Sequence, residues 1–304
     1  MRIAVIGAGA MGSIYGGHLS LHNEVYLIDT NQAIVDHINR EGLKVQEDGA
    51  ESVYHPTAIT SAEGMEPVDL IILFVKSLFS RAALSSNRGI IGENTYLMTL
   101  QNGSGHEDIL SEFVPTDRII IGTTEDNGAV LAPGCVRRGG TGNTNIGMLT
   151  ADANGFLPKL KEVLDTCGFH GTIHENIQQL IWNKLFTNVS LSALTGVLQV
   201  PMGFIAGNEH AWNLAKRLIH EAVEVAHGLG LEADEESITE KVKKTSLGSP
   251  EGITSICADL RDGRKTEVNT ISGSVVRASK KCGVPAPTHE MIVELVLALE
   301  EKQR

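Results

Sequence analysis

The stretch "RIAVIGAGAMGSIYGGHLSL", Arg2 to Leu21, leaves the start of this chain few ways to fold. Arg2–Ile6 is short, apolar and rich in β-branched residues, as a buried strand requires. Gly7, Gly9 and Gly12 follow at G-x-G-x-x-G spacing, with Ala8, Ala10 and Met11 between them, and a helical pattern begins at once. That order suits a pyrophosphate. One glycine permits the tight turn, the next lets backbone approach the ligand closely, and the helix N-terminus offers unpaired N–H groups to its charge. The whole loop Gly7, Ala8, Gly9, Ala10, Met11 and Gly12 is therefore expected to hold a dinucleotide cofactor.

The next strand, "EVYLID", ends on Asp29. An acid there can accept hydrogen bonds from the adenosine ribose hydroxyls and repel a 2′-phosphate, so NAD(P)H binding is expected, with NADH favoured over NADPH. No Arg or Lys lies between Asp29 and Asn39 to hold a 2′-phosphate. The competing explanation is that Asp29 or Thr30 merely caps the helix that follows.

The alternation continues through "DLIILFV", "YLMTL" and "RIIIG", each an apolar run fit for a strand buried on both faces. The expected fold class is α/β: an N-terminal Rossmann-type, doubly wound parallel sheet plus a C-terminal all-helical domain. Gly122 to Gly147 is rich in Gly and Thr, with β-like pieces "CVRRGG" and "NTNIGML". After about His170 helical patterns dominate, which divides the chain into 1–172 and 173–304. Asn208 and Gly228 bracket one helix. Ser249 and Pro250 read as N-cap and first turn of another ending at Gly263, and Gly283 closes a third.

A net charge of −12 argues against nucleic acid or an anionic membrane as partner. The four cysteines form no CxxC pair, which fits a reduced, cytoplasmic protein. The longest strictly apolar run, "LIILFV", is far too short to span a bilayer. The expected partner is a small molecule; a homodimer is left open.

One helix carries an anomaly. "IWNKLFTNVSLSALTGVLQV", Ile181 to Val200, reads as buried, yet Lys184 sits near its start and is the only formal charge between Asn176 and Asn208. A lone ammonium among apolar groups is costly unless something uses it. Asn188 and Ser192 lie four and eight residues on, within about 80° of Lys184 on a helix. A lysine that snorkels to solvent is the bland alternative. The sharper one is hydride chemistry: a carbonyl that accepts hydride becomes an alkoxide, and a lysine can polarise it and supply the proton. Asn188 and Ser192 would then hold a substrate carboxylate or hydroxyl. Lys76 and Asn102 each follow a strand, at the carboxyl edge where such sheets bind ligands; a surface lysine and a simple Asn-Gly turn are their bland readings.

The chain resembles the ketopantoate reductase (2-dehydropantoate 2-reductase) family along nearly its whole length. The resemblance rests on "GAGAMG", "FVKS", "LQNGSGHED", "GAVLAPGCVRRGGTGNTNIG", "WNKLFTNVSLSALT" and "ITSICADLRDGRKTEVNTISGSVV", in that order. It implies a Rossmann domain and a helical domain with the site in the cleft between them. It further implies reduction of 2-dehydropantoate to D-pantoate in pantothenate biosynthesis. Lys184 matches the family's catalytic proton donor, and Asn102 and Asn188 match substrate contacts. Ser255 matches a serine that holds the substrate carboxylate. Glu267 matches a glutamate near cofactor and lysine, with a helix-start glutamate as its bland reading. Lys76 and Ala129 match cofactor contacts.

The departures are specific. Ser192 stands where many members have a second asparagine, and Met202 where some place a further polar contact. "EDNGA" replaces a "THGA"-like sequence, and Asp29 occupies a region where NADPH-using members carry arginine. Relatives of the family reduce other branched 2-oxo acids, so a D-2-hydroxyacid dehydrogenase is the first alternative. A β-hydroxyacid dehydrogenase lacks support, because no glycine-rich turn precedes Lys184. A catalytically inactive NAD(P)-binding sensor is the non-enzymatic alternative.

Overall fold

The computed structural model describes residues 1–302. They form two units: Met1–Gln101 with His106–Ile177, and Asn102–Gly105 with the chain from Gln178 onward. The first unit begins β1 (Arg2–Ile6), α1 (Ala10–Leu19), β2 (Glu24–Ile28) and α2 (Gln32–Glu41), as its sequence pattern predicts. It continues through β3 (Leu43–Glu47), β4 (Ala50–Tyr54), β5 (Thr57–Ile59), β6 (Leu70–Leu73), α3 (Ser80–Ser86), β7 (Tyr96–Thr99), α4 (Glu107–Leu110) and β8 (Ile119–Thr124). It closes with β9 (Asn127–Ala132), β10 (Cys135–Gly139), β11 (Asn143–Met148), α5 (Phe156–Thr166) and β12 (His170–Ile173).

Eight strands form the main sheet in the order β12-β11-β8-β7-β6-β1-β2-β5. From β8 to β5 every pairing is parallel, whereas β11 runs antiparallel to β8. All four residues of β6 and of β7 are buried, which is why these strands read as continuous apolar runs. A second sheet, β4-β3-β10-β9, was not expected from the sequence pattern. Its strands "LKVQE" and "AESVY" carry Lys, Gln and Glu on half-buried or exposed positions, so they lack the apolar density that betrays the main sheet.

Helix α1 packs against β1 and β2 of the main sheet and against β3, β9 and β10 of the second. Every residue from Gly12 to Leu19 is accordingly buried. Two adjacent glycines make this possible. A Cβ on Gly16 would lie 3.2 Å from Leu27, and one on Gly17 would lie 3.1 Å from Tyr54 and 3.3 Å from Leu43. Tyr15 stacks on Phe169 with ring centroids 4.0 Å apart, and its hydroxyl lies 2.6 Å from Thr144 Oγ1. Burial pushes that phenol up to about 12.

Arg138 of β10 ties the two sheets together. Its guanidinium donates to Asp126 Oδ2 at 3.0 Å, Glu47 Oε2 at 3.1 Å and the Gly168 carbonyl at 3.0 Å, while Asp126 Oδ1 accepts from Gly142 N at 2.8 Å. Glu47 also reaches His18 of α1 at 3.3 Å. Burial pushes the His18 imidazole below its ordinary value.

The second unit is helical: α6 (Ile177–Leu198), α7 (Met202–Gly207), α8 (Glu209–Gly228), α9 (Glu235–Gly248), α10 (Ser255–Arg261), α11 (Ser272–Cys282) and α12 (Pro287–Lys302). Its core joins Trp182, Phe186 and Val189 of α6 to Leu218, Ile219 and Val223 of α8 and Val275 of α11. The expected Asn208 cap accepts from His210 N and Ala211 N, and Gly283 closes α11 with φ +75°. One expected start is corrected. Helix α10 begins at Ser255 under a Thr254 cap, not at Ser249 and Pro250. The carbonyls of Pro250 and Gly252 instead accept from Gly203 N and Met202 N at the head of α7, so that stretch is a turn serving a neighbouring helix. No described helix is long and apolar enough to cross a membrane.

Gly17→Leu should destabilise the protein by about 1–3 kcal/mol, the usual cost of overpacking a filled interior. An unchanged urea midpoint would mean that the second sheet does not press on α1.

Candidate active site

The glycine loop is shaped by contacts that exclude any side chain at two of its three glycines. Gly7 has φ +105°, and a Cβ there would lie 2.8 Å from Val75 N. A Cβ on Gly12 would lie 1.7 Å from the Gly7 carbonyl oxygen, so helix α1 can start against the end of β1 only without one. Gly9 differs: a Cβ there would meet nothing within 4 Å. That open side is the face from which a pyrophosphate could approach backbone. Gly9 is also the N-cap of α1 and gives it no side-chain hydrogen bond, so no side-chain oxygen competes with a phosphate there.

Asp29 braces this loop. Its Oδ2 accepts from Ala8 N at 2.8 Å and its Oδ1 from Asn31 N at 2.9 Å. The cap of α2 is Asn31, whose side chain accepts from Ala33 N and Ile34 N. Neither Asp29 nor Thr30 is therefore the helix cap; the structural role of the acid is to brace the loop and the turn into α2. Lys76 is half-buried just past the end of β6, ahead of a single 3-10 turn, Ser77–Phe79. Gln101 pins the same region, donating from Nε2 to the Val75 carbonyl and to Ser80 Oγ. Sequence reasoning missed Gln101, since a glutamine after a strand carries no signal of its own. Gly128 of β9 passes α1 so closely that a Cβ would lie 3.0 Å from Ala10, which brings Ala129 beside the start of that helix. The glycine loop, with its open face at Gly9 and a helix start behind it, fits a dinucleotide's pyrophosphate.

In the helical unit a cavity of about 210 Å³ is lined by Asn102, Lys184, Asn188, Ser192 and Ser255. The Lys184, Asn188 and Ser192 stripe thus shares one space with Asn102 and Ser255, named apart from it in the sequence. Thr187, Leu191, Met202, Thr254 and Ile271 complete the wall. The volume is small beside ligand pockets in general, roughly 300–1,000 Å³. It suits a compact metabolite.

The local structure explains each placement. Helix α6 buries every residue from Val189 to Gly196, whereas Asn183 and Lys184 are exposed. The lysine therefore does not sit in an apolar setting, which corrects the expectation of a costly buried ammonium. The stripe is what survives. Thr254, the cap of α10, lies 2.7 Å from Thr195 of α6 through their hydroxyls, which holds the first residue of α10, Ser255, at the cavity. Asn102 joins the helical unit because Ser104 N donates to the Thr270 carbonyl at 3.0 Å and Arg277 donates to the Ser104 carbonyl at 3.2 Å. Gly103, at φ +97°, allows this close pass, since a Cβ would lie 1.8 Å from the Thr270 oxygen.

Glu267 does not line the cavity. It precedes α11 by several residues, so it is not a helix-start glutamate either. Its carbonyl accepts from Thr270 N and Ile271 N at 3.0 Å each, shaping the turn that carries Ile271 into the wall.

A glycine loop of this form in one unit and a polar cavity lined by a lysine in the other are parts that a nicotinamide-dependent oxidoreductase uses. Residues 3–151 match the family described as ketopantoate reductase PanE/ApbA, and residues 176–300 match its C-terminal domain. The 2-dehydropantoate 2-reductase of Streptococcus pyogenes is 32% identical over 302 residues, covering 99% of this chain and 98% of that one. That of Pyrococcus horikoshii is 33% identical over 303 residues, with the same coverage. A D-mandelate dehydrogenase solved with NADH and anilino(oxo)acetate superposes with a TM-score of 0.89 at 31% identity, covering 100% of this chain and 99% of its own. The chain belongs to the ketopantoate reductase family.

Gly9→Ala should leave the urea midpoint essentially unchanged, because its methyl meets open space. It should weaken NADH binding about tenfold or more, equivalent to about 1.4 kcal/mol, by denying close backbone approach. Undiminished affinity in a fluorescence titration would show that Gly9 is not where the pyrophosphate lies.

Proposed function

We propose that this protein reduces the keto carbon of a small branched 2-oxo acid, with 2-dehydropantoate as leading substrate and NADH as preferred cofactor. The carrying observation is the convergence of Lys184, Asn188, Ser192, Asn102 and Ser255 on one cavity of metabolite size. The cofactor supplies hydride when bound. The protein supplies orientation and a proton. Lys184 is the one cation among the lining residues, placed to polarise the keto oxygen and to protonate it as charge develops. Asn102 and Asn188 orient substrate through amide hydrogen bonds, and Ser255 with Ser192 offers hydroxyls to its carboxylate and polar substituents. Glu267 is kept as the glutamate near cofactor and lysine that the resemblance implies, and its backbone carbonyl holds the turn that carries Ile271.

Asp29 carries the preference for NADH. Its carboxylate is fixed against the phosphate loop, where a 2′-phosphate would bring like charge close.

A second reading is favoured by Leu191, Met202 and Ile271, which give the cavity an apolar wall. That wall suits a D-2-hydroxyacid dehydrogenase acting on other branched 2-oxo acids, and the D-mandelate dehydrogenase solved with NADH and anilino(oxo)acetate supports a dehydrogenase of that wider kind.

Steady-state assays with both cofactors against 2-dehydropantoate, 2-oxoisovalerate and 2-oxoisocaproate separate these readings. Higher kcat/KM for 2-dehydropantoate supports the first; better turnover of the aliphatic acids replaces it with the second. A clear preference for NADPH would reduce Asp29 to a brace. Lys184→Ala should lower kcat by about 10²–10⁴-fold, the scale of a positioned acid, with NADH affinity kept. Near-normal turnover in that variant would remove Lys184 from the mechanism.

A further inference from the structure

Most of the cavity's polar groups come from α6, from Asn102 and from the start of α10, but Met202 belongs to none of these. It is the first residue of α7. A methionine is ordinarily a poorly defined wall, because three rotatable bonds let it fill whatever gap is offered. This one is held. Its N–H donates to the Gly252 carbonyl at 2.8 Å, and its own carbonyl accepts from Ser246 Oγ at 2.6 Å. The next residue, Gly203, donates from N to the Pro250 carbonyl at 3.1 Å.

Two glycines then interlock the turn 249–252 with the head of α7. A Cβ on Gly203 would lie 2.7 Å from Pro250 Cα, and a Cβ on Gly252 would lie 2.5 Å from Met202 Cε. The tip of the methionine is thus seated on the α-carbon of Gly252. Two and three residues further on, Thr254 and Ser255 line the same cavity. One short turn therefore sets both an apolar wall residue and part of the polar edge.

We propose that the 249–252 turn is the specificity-determining element of this site: by holding Met202 against Gly252 it closes the apolar end of the cavity and restricts the substrate to a compact aliphatic side chain. The proposal rests on the 2-oxo acid reading above. It adds which residues set side-chain size and how they are kept in place.

Gly252 offers a mild way to test it. The atom a new methyl would strike hardest is the free end of a flexible side chain, so Gly252→Ala displaces the Met202 tip with only a slight adjustment of Ser249, whose carbonyl oxygen would lie 3.0 Å away. Met202→Ala removes the wall, and Met202→Leu keeps an apolar one of similar size.

Binding of N-isobutyl oxamate and of anilino(oxo)acetate, two unreactive 2-oxo acid analogues, is measured by calorimetry on the NADH-loaded protein and each variant. The wild type should favour the isobutyl analogue by about tenfold or more. Met202→Ala should shift that ratio towards the aromatic one by about 10–200-fold, the scale of one or more methylenes in an apolar pocket. Gly252→Ala should weaken both, the aromatic one more, and Met202→Leu should stay near the wild-type ratio.

A ratio that differs by less than twofold between wild type and Met202→Ala overturns the proposal, as does a wild type that binds neither analogue. Should the analogues bind in the expected ratio while no 2-oxo acid is reduced with either cofactor, the proposed reaction fails and the turn's role stands. Reduction of the acids with an unmoved ratio leaves the reaction standing and overturns the role of the turn.

Discussion

Helix α1 lies between two sheets, and the geometry of the cofactor loop depends on that confinement. Three glycines within it cost about 3 kcal/mol of helix propensity relative to alanine. Against this, Ile14, Tyr15 and Leu19 are fully buried, and each such side chain contributes about 1.5–3 kcal/mol. Tertiary burial wins, and α1 is a helix because its surroundings hold it there. The sheets need the glycines to come close, and their closeness fixes where the helix starts. The contact of Gly12 with the Gly7 carbonyl oxygen is the end result.

The second sheet has a further consequence. It carries Gly128 and Ala129 past the first turn of α1, so a strand remote in sequence reaches the phosphate loop. The Arg138 cluster anchors that sheet. Its side chain is only 10% exposed and its partner Asp126 is wholly buried, a placement tolerable because most of the guanidinium donors and both Asp126 oxygens are engaged. Removing one partner would leave an uncompensated charge inside the unit.

How much of this was legible in the sequence varied with the kind of signal. The glycine loop was readable because backbone demands there admit almost no other residue. The Asn208 cap and the Gly283 stop were readable because each acts within one turn of its own helix. The start of α10 was not, since Ser249-Pro250 has every local mark of a helix N-terminus. The carbonyls of that turn are claimed by Met202 N and Gly203 N, far away along the chain, and no local rule carries that information. The stripe of Lys184, Asn188 and Ser192 followed from helix geometry and converges on one cavity as expected. The burial of Lys184 did not follow. Charge scarcity along α6 reflects its buried faces, above all Val189 to Gly196, and says nothing of the exposed strip at Asn183 and Lys184. Met202 was flagged only through the family resemblance, and Ile271 not at all, since α7 and the turn before α11 approach α6 by tertiary packing.

Asp29 illustrates why a structural and a functional role need not compete. An ionised carboxylate offers roughly four lone-pair sites, and the hydrogen bonds from Ala8 N and Asn31 N use two of them. The remaining capacity suffices for the two hydroxyls of a ribose. The bracing bonds also hold the charge in place, so a 2′-phosphate would meet it fixed beside the loop. On the proposed reading of Asp29, this couples cofactor preference to loop geometry. Replacing the acid by a cationic side chain to admit NADPH would supply a partner for the phosphate but would leave the Ala8 and Asn31 N–H groups without their acceptor. A change of preference at this position therefore requires a second substitution that restores the brace.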